Sequence, residues 1–233
     1  MARSRAPRIV GTILRLLLLL LILSVSGILL WRVCASEDYE KTKGVSANEQ
    51  LRAAYATYGD ELILQHQTDH ASITKAENNY GYFSVVEYVY IPQAKQLQVL
   101  VRYNNSTLKH LAQDYGLEGI PDRELDHYDV TLTLTTDLTP ADASDNLIAD
   151  NLKKTRIHAS GEPLRESTRL YNYRRYTFDN VEIHPDTVGV FVDLYYNGDV
   201  NYDLDAYGTL LIYDQLAPWE SYSLTSEERK RLQ

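Results

Sequence analysis

From Ile9 to Trp31 the chain is apolar apart from Arg15 and a few small polar residues. A helix of that length rises about 1.5 Å per residue and matches the roughly 30 Å hydrocarbon core of a bilayer. Arg15 sits near the amino-terminal end of the run, where its long stem carries the guanidinium back to the headgroups. The apolar period stops there. Residues 36–45 are charged and small, and read as a short stalk. Ser46 and Glu49 then stand at capping-box spacing. Leu51, Tyr55 and Tyr58 share one helical face and Gly59 follows, so the pattern predicts a helix over 47–58.

Beyond Gly59 the period changes from 3.6 to 2. Phe83, Val85, Val89 and Ile91 alternate with Ser84, Val86, Tyr88 and Tyr90, and Leu97, Val99, Val101 and Tyr103 alternate with Gln98, Leu100 and Arg102. The link from Pro92 to Gln96 makes these two a hairpin. Val130, Leu132 and Leu134 alternate with Asp129, Thr131, Thr133 and Thr135, which predicts one wet face. Val188, Val190, Val192 and Leu194 do the same against Phe191, Asp193 and Tyr195. Weaker strands are expected over 61–66, 155–159, 170–178 and 208–213, with short helical text over 106–115. Thr225 and Glu228 have capping-box spacing before Arg229, Lys230 and Arg231, which predicts a short helix in the tail.

About eight alternating strands with β-branched and tyrosine enrichment imply a mainly β fold. The expected architecture is an antiparallel β-sandwich with a short helix before it and one transmembrane helix ahead of that. The domain plan is a basic start over 1–8, a signal-anchor over 9–31, a stalk over 32–45, a β domain over 46–216 and a tail over 217–233.

Charge adds orientation. The 233 residues carry a formal net charge of -9. Residues 1–35 hold five arginines and no acid, so the remainder carries 18 basic and 32 acidic side chains. Arg3, Arg5 and Arg8 before the span place the amino terminus in the cytoplasm and the domain outside the cell membrane. The competing reading is a signal peptide cut before Ser36, with Val33 and Ala35 at the small-residue positions; the length of the apolar run and Arg32 beside the cut speak against it. The acidic balance argues against nucleic acid as a partner. One cysteine, Cys34, excludes a disulfide framework, and Arg32-Val33 before it does not fit a lipoprotein signal.

Candidate chemistry is sparse, and no cofactor is expected. His66 and His70 are four apart, but in a strand that spacing is roughly 13 Å, too far for one metal ion. Asp199, Asn201, Asp203 and Asp205 offer oxygen ligands at alternate residues, as calcium loops do. Leu204 stands where such a loop needs glycine and Leu210 where it needs a bidentate glutamate, so the segment reads as a solvated connection. Nineteen tyrosines against three phenylalanines suggest an aromatic ligand platform from Tyr88, Tyr90, Tyr171, Tyr173, Tyr195 and Tyr196, although cross-strand pairing accounts for them without a ligand. No nucleophile, base or metal constellation stands out. The expectation is a membrane-anchored extracytoplasmic binding or assembly module without catalysis. Its partners are the bilayer through residues 9–31 and an envelope protein or glycan; the alternative is a surface-attached glycan hydrolase using paired carboxylates.

Overall fold

The computed structural model describes residues 6–42, 44–74, 81–137, 152–168, 171–197, 206–214 and 219–233. It divides into two units, residues 1–42 and 43–233. The first is one helix, α1 (Ala6–Thr42). Within it Gly11–Trp31 is long and apolar enough to cross a membrane. The helix continues to Thr42 and so takes in much of the segment read as a stalk.

The second unit is mainly β. In chain order it contains α2 (Glu49–Tyr58), β1 (Leu64–Thr74), β2 (Gly81–Ile91), β3 (Gln96–Tyr103), α3 (Asn105–Asp114) and β4 (Tyr128–Asp137). Then follow β5 (Leu152–His158), β6 (Leu164–Ser167), β7 (Asn172–Asp179), β8 (Thr187–Tyr196), β9 (Gly208–Asp214), β10 (Glu220–Tyr222) and α4 (Ser226–Leu232). The described residues thus hold ten strands rather than eight. The short β6 and β10 are too brief to show a period.

All pairings are antiparallel. They form a four-stranded block, β5-β4-β8-β9, and a second block, β1-β2-β3-β7-β6, with β10 beside β1. Among the described residues the blocks are joined through the pair Thr74–Thr209. Inner-face residues of both enter one core: Phe83, Val99 and Phe178 from one block, Val130, Leu132, Val192 and Leu194 from the other. Phe83 of β2 meets Tyr128 of β4 edge to face, with ring centroids 4.2 Å apart. Trp219 lies 5.3 Å from Tyr88 and 5.1 Å from Tyr213 of β9, and its indole N–H donates to the Ile212 carbonyl at 2.8 Å.

A second, smaller core lies on the other face of the β1-β2-β3 block. There Leu51 and Ala54 of α2 and Leu232 of α4 pack on Leu64, Val89 and Ile91. Strand β2 therefore has both faces covered, and its register slips between Val85 and Glu87. This bulge corrects the predicted alternation. Phe83 and Val85 face the main core, whereas Val89 and Ile91 face the small one, because one extra residue moves every later side chain to the opposite face. Tyr88 and Tyr90 consequently turn inward.

Two further expectations change. Asn48, not Ser46, caps α2, its side chain accepting the Leu51 N–H; the Ser46 N–H goes instead to Gln98. Gly44 and Val45, assigned by sequence to the stalk, make buried contacts with the domain. The box formed by Thr225 and Glu228 before α4 is present as predicted.

Candidate functional site

The strand registers assemble three cross-strand rows on the outer face of the four-stranded block. Arg156, Thr133, Phe191 and Leu211 form one row, and His158, Thr131, Asp193 and Thr209 the next. Lys154, Thr135, Gly189 and Asp214 form the third. Apart from Thr131 and His158, the residues of these rows line a hollow of about 710 Å³, to which Leu152, Val188, Tyr195 and Ala206 also contribute. Gly189 makes room for it: a Cβ there would stand 3.1 Å from the Phe191 ring and 3.3 Å from Leu211.

The face is not the wet one its alternation predicts. Thr131 is fully buried and Thr135 nearly so. Asp193, 7% exposed, accepts from the Thr133 hydroxyl at 2.5 Å and the Thr209 hydroxyl at 2.7 Å. One oxygen thus goes to each threonine. Toward β5 the character changes, because that strand reads Leu152-Lys153-Lys154-Thr155-Arg156-Ile157-His158, with three cations and no acid. Arg156 is exposed and lies 5.7 Å from the Tyr195 ring centroid, donating to its hydroxyl at 3.4 Å. Leu152 and Leu211 are 40% and 46% exposed, among the few large apolar side chains the domain leaves open.

A second hollow, about 470 Å³, collects acids. Asp126, Asp129, Glu162 and His158 line it with Tyr128 and Tyr176. This is the arrangement a glycan hydrolase needs in outline, but Asp126 is bound by Arg165 and Arg174, each at 2.7 Å. Arg174 is itself 1% exposed and donates to the carbonyls of Tyr173 and Arg123. Both Asp126 oxygens are thus taken up by guanidinium donors, one by Arg174 and the other by Arg165, which leaves the carboxylate engaged within the fold.

The six tyrosines do not form an exposed platform. Tyr88, Tyr90, Tyr173 and Tyr195 are buried, and Tyr171 and Tyr196 are half-buried. Tyr171 pairs with Tyr173 at 6.3 Å, while Tyr196 stacks on Tyr115 at 4.3 Å. Of the six, Tyr195 alone lines the larger hollow. Asp199, Asn201, Asp203 and Asp205 lie outside the described residues. His66 meets a carboxylate, Glu87, at 3.0 Å. Among the described residues no three metal-ligating side chains converge.

The contribution of Lys154, Arg156 and Leu152 was hidden from sequence because it depends on which strand pairs with β4. Compared with known proteins, the chain matches no family model, no curated protein and no solved structure.

Proposed function

We propose that the chain is a membrane-anchored, extracytoplasmic binding or assembly module without catalytic activity, held by Gly11–Trp31 with the domain outside. The two antiparallel blocks serve as the layers of a β-sandwich, and the hollow on the outer face of β4, β5, β8 and β9 is the contact surface. The observation that carries this reading is the composition of that hollow: exposed Leu152 and Leu211 beside Phe191, rimmed by Lys154 and Arg156. Exposed apolar groups gathered in a concavity with a few polar ones are the usual makeup of a binding site. A cationic rim on a body with a large acidic excess selects an acidic partner by complementarity. The occupant we assign is an acidic segment of another envelope protein carrying apolar side chains.

Photo-crosslinking in intact cells tests this. A photoreactive residue at Leu211 is expected to give one discrete adduct that disappears when Lys154 and Arg156 are both changed to glutamate. The same residue at Lys109, exposed on α3, serves as control. Equal adducts from both positions, or an adduct indifferent to the charge reversal, overturn the assignment. The glycan hydrolase is the alternative, favoured only by the acids around Asp126. Hydrolysis of an envelope glycan that is lost in Asp129→Asn would establish it.

A further inference from the structure

Two buried carboxylates reach the same short stretch of backbone. Glu87 of β2, 2% exposed, accepts the Gly44 N–H on its two oxygens at 3.1 and 3.0 Å. Glu228 of α4, 4% exposed, accepts the Val45 N–H at 2.9 Å. The next residue is held by a third side chain: Gln98 of β3 accepts the Ser46 N–H at 2.7 Å and donates to the Ser46 carbonyl at 2.9 Å. Three consecutive backbone N–H groups therefore go to side chains from three different elements. Gly44 has φ +93°, and a Cβ added there would fall 2.3 Å from a Glu228 carboxylate oxygen, so the position requires glycine.

Each carboxylate is tied in turn. Glu87 accepts from His66 of β1 at 3.0 Å and from Arg175 of β7 at 2.7 Å. Glu228 accepts from the Tyr222 hydroxyl of β10 at 2.6 Å, and from the Thr225 N–H and hydroxyl at 2.7 and 2.8 Å. The His66 and Tyr222 rings lie 4.8 Å apart and connect the two centres. The neighbouring Arg229 of α4 turns away to Asp60, at 3.1 Å.

We propose that Gly44–Ser46 is a latch: Glu87 and Glu228 fasten the segment that follows α1 to the domain, and acidification opens it while the central strands stay paired. Two of its three grips are charge-assisted bonds to carboxylates, which weaken when the carboxylate is neutralised. The strand ladders depend on no titrating group. Burial pushes both carboxyls up, but their hydrogen-bond partners, and for Glu87 the Arg175 guanidinium, outweigh it and hold both below the usual carboxylate range. The latch is therefore closed at neutral pH and gives way below the usual carboxylate range. Opening residues 44–48 would lengthen the link to α1 by up to about 17 Å, at 3.3–3.6 Å per extended residue.

Hydrogen exchange on the full chain in detergent micelles, read as protection relative to an unstructured peptide, tests the latch. At neutral pH residues 44–48 are expected to be protected. Glu228→Gln, whose carboxylate is held by neutral donors, should lower that protection by about tenfold or more with residues 97–103 changing by less than about twofold, since local openings are separable from global ones. Glu87→Gln, which also strands Arg175, should lower protection at 44–48 by more than it does at 97–103. A pH series on the unaltered chain should show the same order of loss, and needs no variant to fold. Gly44→Ala, which keeps both carboxylates, should open the segment already at neutral pH. The proposal fails if 44–48 is unprotected in the unaltered chain at neutral pH, if the glutamine variants leave it protected, or if 44–48 and 97–103 lose protection together.

Discussion

The two outer faces of the domain carry similar side chains and use them differently. On β1, β2, β3 and β7 the outward Glu87, Gln96, Gln98 and Arg175 are roofed by α2 and α4, and each is buried with its charge or amide engaged. On β4, β5, β8 and β9 the outward Asp193 is equally buried, yet its partners are neutral threonines, and the cations Lys154 and Arg156 stand open at the rim. Burial of charge is tolerable on the first face because every ion has an opposite ion or several N–H donors in reach. The second face keeps its cations exposed and holds its buried carboxylate, Asp193, with two threonine hydroxyls. A roofed face rigidifies; an open one is left to recognise.

The largest expected effect breaks this contrast directly. Arg175→Met would strip Glu87 of its buried counter-ion and should cost about 3 to 5 kcal/mol. The matching change on the open face, Arg156→Met, should stay within about 0.5 kcal/mol because the side chain is exposed. Urea denaturation of the full chain in micelles, followed by near-ultraviolet circular dichroism, compares them. Equal losses would mean that the rim arginine is as structural as the roofed one.

Gly44→Ala comes next. Left-handed backbone at +93° alone costs an alanine about 1 to 2 kcal/mol, and the collision with Glu228 adds to it. Glu228→Gln should not remove this penalty, since the amide occupies the same space; a rescue would show the glycine is needed for charge rather than room.

Acid titration sharpens the comparison without mutation. A carboxyl held below its unfolded value contributes stability that is present above the unfolded pKa, about 4.3 for glutamate, and lost as pH falls through the folded one. Glu87 and Glu228 both belong to this class. Stability should thus decline below about pH 4.3, and Glu87→Gln should flatten part of that decline. An undiminished slope in the variant would assign acid sensitivity elsewhere.

How much of this was readable in sequence depends on how many faces of a strand are covered. Where one face dominates, as in β4 and β8, alternation placed Leu132 and Val192 in the core without ambiguity. In β2 both faces are apolar and Val86 is inserted as a bulge, so no periodicity could show that Val85 and Val89 belong to different cores. The tyrosines left two readings open for a related reason. An aromatic ring with a hydroxyl at its tip suits a ligand face or a core edge equally, and burial, which sequence does not display, decides between them. Glu87 stands in the sequence as one acid between Val86 and Tyr88. Its partners, His66, Arg175 and Gly44, are brought to it only by the fold.

The smallest effect concerns a position whose burial the alternation did not reveal. Thr131 sits directly opposite Asp193 in the β4–β8 ladder and is fully buried, but its hydroxyl has no hydrogen-bond partner. The Asp193 oxygens accept from Thr133 and Thr209, and the Thr131 hydroxyl, buried in the same row, reaches no acceptor. A buried hydroxyl left unsatisfied costs about 1 to 3 kcal/mol relative to solvation, and valine has the same branched shape without it. Thr131→Val should therefore stabilise the domain by about 1 kcal/mol, whereas Thr133→Val, which removes a donor from Asp193, should destabilise it by a similar amount. The two changes are chemically identical and two residues apart on one strand. If both variants shift the urea midpoint in the same direction, the hydroxyls of this face are not distinguished by Asp193, and the account of the row as a satisfied carboxylate with one surplus hydroxyl is wrong.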